Sequence, residues 1–442
     1  MAKPNSALLL TRLPAEFQAA LQLVAAQAAR LGARVWLVGG VVRDLLAELP
    51  LSRDLDLAVE GDVAALAQAL ASTAGARMVA HHAPFGTASI ELRSAAQAEP
   101  LLLDLARTRC ETYPQPAALP HVSPAPIEHD LLRRDVSLNA MAYELQLVDG
   151  RLHGGPLLDP FDGQADLVAR RLRLLHPQSL RDDPTRILRG VRLAARMALD
   201  LTPATAQQLG AALQARYLAM LSPERVLNEL CLALSEPRPD HVLHYADAWQ
   251  VTPQILPGLA WNDALAARCA RCAAASEPQP ALVWAGLLLY GCSPATLAQV
   301  QQRYPLPSVA TTLLQQLEQL RCVAPQLARL ANSALDQTLN PFSVTACIVL
   351  HFAEPDAAAP ILHYLHHLRH RRAPLDGNDL RRLGVPPGPH LGQLLAQLRY
   401  RSLDGQISDR EQAAAWVRTQ IANDDAKERI NGYNPPDAEG TR

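Results

Sequence analysis

The segment Arg53-Asp54-Leu55-Asp56-Leu57-Ala58-Val59 sets an acid and an aliphatic side chain at alternate positions. Period two is the pattern of a strand with one buried face, whereas a helix would scatter these residues around its circumference. Asp54 and Asp56 therefore share one face, and Leu55 and Leu57 enter a core. Upstream, Val35-Trp36-Leu37-Val38 reads as a short buried strand ended by Gly39-Gly40, and Val41 to Leu49 returns to helical spacing. Residues 13 to 32 read as a helix, with further strands expected at Ala88 to Leu92 and Leu101 to Ala106. Pro114 to Pro126 holds five prolines in thirteen residues, a density expected to exclude regular structure and leave a long surface loop. From about Asp166 the pattern is almost wholly helical, divided by turn signals such as Ser222-Pro223 and Pro237-Arg238-Pro239.

A chain of 442 residues exceeds the size at which one core usually divides. The predicted fold is an α+β head with a small mixed β-sheet and helices over residues 1–150, then an all-α neck (151–235), body (236–370) and tail (371–426), with a polar, disordered end at 427–442. A net charge of −2 gives no global signal for nucleic acid, so any RNA contact must come from local patches. No apolar run is long enough to span a membrane, and the N-terminal residues lack an export signal. Seven scattered cysteines fit a reducing cytoplasm. Cys269-Ala-Arg-Cys272 has no second pair at zinc-finger spacing, so it reads as structural.

Two carboxylates on one strand face repel each other unless a cation lies between them. Asp104 adds a third charge in the aliphatic run Leu101-Leu102-Leu103-Asp104-Leu105, where a buried strand is expected. Mg²⁺ takes oxygen ligands and keeps phosphate oxygens in its shell, so Asp54, Asp56 and Asp104 form a candidate catalytic and metal-binding set for phosphoryl transfer. Alone, such a pair is a weak signal and more often marks an exposed strand face, with Asp104 an edge residue. The upstream turn changes the balance, because Gly39-Gly40 allows close backbone approach to phosphate, with Arg43 nearby.

These residues carry a resemblance. Leu37-Val38-Gly39-Gly40-Val41-Val42-Arg43-Asp44 with Arg53-Asp54-Leu55-Asp56 resembles the first motif of class II tRNA nucleotidyltransferases and bacterial poly(A) polymerases. Phe85-Gly86-Thr87 and Asp104 to Arg109 resemble the stretch with the third carboxylate. Arg133-Arg134-Asp135-Val136-Ser137-Leu138-Asn139-Ala140 resembles the ribose-contacting motif, and Asp182-Asp183-Pro184-Thr185-Arg186 the base-selecting one. Ser222-Pro223-Glu224-Arg225 resembles the neck motif that follows. Asp182 stands where the family usually has Glu, and Val136-Ser137 where it has an aromatic residue and Thr. The resemblance implies a template-independent enzyme that uses two metal ions, with Mg²⁺ as cofactor, to add CCA or the terminal A to the tRNA 3′ end from CTP and ATP. The long loop from Cys110 to His129 disfavours CC-only addition, which the family pairs with a shortened loop. A poly(A) polymerase and a non-catalytic RNA-binding protein are the alternatives.

The nucleotide-binding candidates are Gly39, Gly40, Arg43, Arg134, Asp135, Asn139, Asp183, Arg186, Arg189 and Arg192. On one helix, Asp183 and Arg186 are three residues apart and therefore neighbours on one surface, and Arg189, Arg192 and Arg196 continue a cationic stripe beside them. Cytosine and adenine each present an amine beside a ring-nitrogen acceptor, while uracil and guanine present a carbonyl beside an N–H. An ionised Asp only accepts and an Arg only donates, so the pair suits C and A. The basic segment His363 to Arg372 is a candidate RNA-facing helix.

Overall fold

Alternating apolar residues build a seven-stranded mixed sheet in the first part of the chain. The computed structural model describes residues 10–93 and 99–431, and the chain divides into two units, 1–260 and 261–442. The strands of the first unit are β1 (Arg34–Val38), β2 (Asp54–Glu60), β3 (Ala76–His82), β4 (Thr87–Leu92), β5 (Leu101–Arg107), β6 (Arg109–Thr112), β7 (His121–Pro124), β8 (Ala142–Val148) and β9 (Arg151–Leu158). The large sheet runs β3-β4-β5-β2-β1-β8-β9. Only β2 and β5 pair in parallel within it.

Val35 and Leu37 of β1, Leu55 and Leu57 of β2 and Leu103 and Leu105 of β5 share one core. It is covered by α1 (Ala15–Arg30), α2 (Gly40–Leu46) and α3 (Val63–Ala71) through Leu21, Val42 and Leu66. Full burial of each such leucine stabilises the sheet by about 2 kcal/mol. Trp36, Val38 and Ala58 turn to the opposite face, against Ile127 and Leu131 of α4 (Ile127–Leu132). The same alternation puts Asp54, Asp56 and Asp104 on that second face.

The expected strands are present, and β3, β8 and β9 add to them. The proline-rich segment is not irregular throughout, because β7 lies inside it and pairs with β6 from Arg109↔Pro124 to Thr112↔His121. Proline is tolerated in such a hairpin, where a strand edge has no ladder partner to satisfy.

Helices follow: α5 (Gly163–Val168), α6 (Ser179–Asp182), α7 (Thr185–Met197), α8 (Pro203–Gln214), α9 (Pro223–Leu234) and α10 (Pro239–Ala248). The second unit is helical from Asp263–Ala273 to Arg410–Asn431. Cys269 and Cys272 are buried on the first of these helices. Asp336 is fully buried and receives both Nη atoms of Arg399. Asp376 opens the helix Gly377–Arg382 with a reciprocal capping box, so the Asp376-Gly377-Asn378-Asp379 run is a helix start. The basic segment is not one continuous helix, since Pro355–His366 ends before a 3₁₀ turn at Leu368–His370. The final helix passes Lys427 and reaches Asn431, beyond the point where the disordered end was expected to begin; residues 432–442 of that expectation lie outside the described residues.

Candidate active site

β1 leads directly into Gly39, whose φ of +73° favours glycine. A Cβ there would lie 3.1 Å from Asp56 Oδ2 and 3.3 Å from Arg134 Nη1. The turn thus seats bare backbone against a carboxylate. Gly39→Ala is expected to lower turnover at this site at least tenfold, since a strained φ costs roughly 1–2 kcal/mol and the new methyl presses on Asp56. Gly40→Ala should lose less, because Gly40 needs no left-handed φ and its Cβ would meet Arg43 Nη2 at 3.3 Å rather than a carboxylate of the sheet. Equal steady-state rates for the two variants would remove this role from Gly39.

Parallel pairing sets Asp56 directly beside Asp104, and antiparallel pairing sets Ser89 beside Asp104 on the other side. Ser89 Oγ donates to Asp104 Oδ1 at 2.5 Å. Asp56 is exposed by area but enclosed by the cleft walls, and this desolvation pushes its carboxyl above the ordinary range; Arg134 pulls it back, and Asp104 and Asp54 push it up again. Asp54 lies two residues away on the same strand face, exposed, accepting from Ser52 Oγ at 3.3 Å. Among the described residues no three His, Cys, Asp or Glu side chains close around one metal position. The mutually repelling oxygens fit a hard divalent cation that completes its shell from outside the protein, as Mg²⁺ does with phosphate oxygens.

Asp56 and Asp104 form one wall of a cleft of about 680 Å³. Gly39, Gly40, Arg134, Asp135, Asn139, Asp183, Arg186 and Arg189 also line it, whereas Asp54, Arg43 and Arg192 do not. Six arginines and six acids face this space, so an entering polyanion meets cations that mostly have partners already. Arg134 is an exception in part. Its Nη2 donates to buried Asp130 at 3.1 Å, but its Nε is buried without a hydrogen-bond partner.

Arg43 is buried and turned inward, donating to Asp44 and, at 2.6 Å, to Asn139 Oδ1. Asn139 donates to Asp135 Oδ1 at 3.0 Å, and Asp135 Oδ2 receives Arg189 Nε and Nη2 at 3.0 and 2.9 Å. This relay, buried at Arg43 and Asp135 and open at Arg189, ties α2 to α7. Burial alone would raise the Asp135 carboxyl, but the Arg189 charge and the bonds from Asn139, Arg189 and the Val136 N–H hold it at about 2.

Two sequence expectations need correction. Asp183 is not on the helix with Arg186: α6 ends at Asp182, and Asp183 has extended backbone (φ −133°, ψ 94°) before Pro184. Its Oδ1 accepts from Thr185 N, Thr185 Oγ1 and Arg225 Nη2. The arginine stripe on α7 is not an open cationic face either. Arg192 pairs with Glu229 and Glu236, and Arg196 with Glu236. Arg186 donates at 2.6 Å to both Ser179 Oγ and the Arg133 carbonyl. Nη1 also lies 3.4 Å from His176 Nε2, and Nη2 retains a second N–H.

The sequence reading passed over Ser89 and gave Arg225 no contact. It also missed Tyr113, whose hydroxyl donates to Glu111 at 2.7 Å and whose burial pushes its phenol upward. Ser89 had one local signal, its even spacing from Thr87 and Glu91 on an alternating strand. Arg225 stood in the neck motif, but its partners were not legible because they depend on how α9 packs.

Residues 35–173 match the poly A polymerase head domain family. An A-adding tRNA nucleotidyltransferase of Halalkalibacterium halodurans is 32% identical over 401 residues, which cover 90% of this chain and 91% of that protein. A CC-adding tRNA nucleotidyltransferase of Deinococcus radiodurans is 34% identical over 387 residues, covering 87% and 89%. The solved apo form II of a CCA-adding enzyme has a TM-score of 0.76 and 26% identity, covering 93% of this chain and 98% of that one.

Proposed function

The chain belongs to the tRNA nucleotidyltransferase family, and from that premise we propose that it adds CCA, or the terminal A, to tRNA 3′ ends from CTP and ATP, releasing pyrophosphate. The observation that carries this reading is one cleft with the carboxylates Asp56 and Asp104 on one wall and the acceptor and donor Asp183 and Arg186 on another. Asp56 and Asp104, with Asp54 on the same strand face, would hold Mg²⁺, which when bound lowers the pKa of the attacking 3′-hydroxyl and neutralises charge on the leaving group. Arg134, whose Nη1 lies beside the Gly39 turn, would meet a phosphate through the cleft-facing end of its guanidinium. Arg189, held by Asp135, is fixed along the same wall. Asp183 accepts the exocyclic amine of C or A while Arg186 donates to the ring nitrogen, so U and G leave both groups mismatched at roughly 1–3 kcal/mol each. Charge decides entry: with the arginines largely paired, the triphosphate arrives with its own counter-cation. The cytoplasm, where tRNA and nucleotides are available, is the proposed setting. No helix among the described residues is long and apolar enough to cross a membrane.

Incubation of tRNA transcripts ending before CCA, after C and after CC, with each nucleotide in turn, tests the assignment. A poly(A) polymerase would extend arbitrary RNA with long A tails, and a CC-adding enzyme would leave the CC transcript unextended. No incorporation on any transcript would overturn the function. In the same assay Asp183→Ala and Arg186→Ala should each reduce C and A addition about tenfold or more relative to U and G. Equal loss of all four nucleotides, with a lowered melting temperature, would make the two residues structural.

A further inference from the structure

We propose that Arg225 is a positioning residue that fixes the plane of the Asp183 carboxylate, and so sets which oxygen meets the incoming base; this rests on Asp183 being the base-reading acceptor. Asp183 sits in extended backbone between α6 and α7, without the helical neighbours that would hold a rotamer. The last torsion of an aspartate is broad, so bonds to its oxygens must define the carboxylate plane. Thr185 N at 3.1 Å, Thr185 Oγ1 at 2.6 Å and Arg225 Nη2 at 2.7 Å all donate to Oδ1. Oδ2 accepts from none of the described residues and remains the acceptor toward the cleft. The two threonine bonds come from a turn that moves with Asp183 itself. Arg225 reaches it from the first turn of α9, an independent element.

The second arm of Arg225 is engaged as well. Its Nη1 donates at 3.0 Å to the carbonyl of Ala117, at the tip of the β6–β7 hairpin, and the Ala117 N–H donates to the Arg181 carbonyl. Two acceptors in different directions fix the guanidinium plane, and through it the carboxylate. A lysine carries one point charge and cannot hold both partners in one plane.

The test uses the full chain, Mg²⁺ and a transcript ending in CC, reading kcat/KM for ATP and GTP with Arg225→Ala, Arg225→Lys, Asp183→Ala and the Asp183→Ala/Arg225→Ala double variant. The ATP-to-GTP ratio should fall about tenfold in Arg225→Ala and by an intermediate factor in Arg225→Lys. Adding Arg225→Ala to Asp183→Ala should change the ratio by less than about twofold, since the two act through one group. If Arg225→Ala fails to fold, Arg225→Lys carries the comparison, because it keeps the charge and the aliphatic stem. A ratio that stays at wild type in the Arg225 variants while collapsing in Asp183→Ala overturns the role of Arg225 and leaves base reading standing. A ratio unchanged in Asp183→Ala removes base reading, and the Arg225 inference with it.

Discussion

Asp56→Asn should abolish nucleotide addition while leaving tRNA binding unchanged. Asparagine keeps the shape and one acceptor oxygen, so the contact with the Gly39 turn survives. What disappears is the charge between Asp104 and Asp54. Electrostatic help of several kcal/mol at the reacting phosphate corresponds to a loss on the order of 10³-fold or more. Stability should move the other way. Desolvation by the surrounding cleft walls and two like charges oppose ionisation of Asp56, and Arg134 and Arg189 offset them only in part, so the variant should melt at or above the wild-type temperature in metal-free buffer. Labelled-AMP incorporation, a mobility shift with tRNA and a thermal melt separate the three effects. Near-normal incorporation would remove Asp56 from the catalytic set, and lost binding with a lower melting temperature would make it structural.

What the sequence revealed is what local periodicity can encode. Alternation assigns Asp54, Asp56 and Asp104 to one strand face before any partner strand is known, because side-chain direction in a strand depends only on parity. It cannot say that β2 and β5 pair with Asp56 level with Asp104, or that Ser89 comes level with Asp104, since register belongs to strands far apart in the chain. The misread stripe on α7 has the same origin. Helical spacing gathered Arg189, Arg192 and Arg196 on one side, but Asp135, Glu229 and Glu236 reach that side from other segments. Arg43 turned inward for want of a similar clue, since its partner Asn139 lies 96 residues away. The error at Asp183 was avoidable, because the residue before a proline is pushed out of helical backbone by the proline ring, and Pro184 follows it.

Asp135→Asn should weaken both the fold and nucleotide binding, with a pH signature that identifies the cause. The Asp135 carboxyl is held at about 2 against an ordinary 3.8, a difference equivalent to about 2 kcal/mol of stability at neutral pH. A depressed carboxyl stabilises the fold above its unfolded pKa, and the contribution is lost as pH falls through the folded value. The window therefore runs from about pH 4 down to about pH 2. Asparagine preserves an acceptor for the Val136 N–H, but it presents no charge to Arg189 and cannot accept at Oδ2 from Arg189 while turning its amide there. Arg189 is half exposed, which screens part of the loss. The expected cost is about 2–3 kcal/mol. Arg189 and Asn139, released at one end, should also raise the nucleotide KM more than they lower kcat, because both line the cleft without belonging to the carboxylate set. Denaturant midpoints of wild type and variant, followed from pH 7 to pH 3, should differ most at neutral pH and begin to converge below about pH 4 as the wild-type carboxylate takes up its proton. A gap that stays constant to pH 3 would mean that packing, rather than the Asp135 charge, holds α7 against the nucleotide-binding turn.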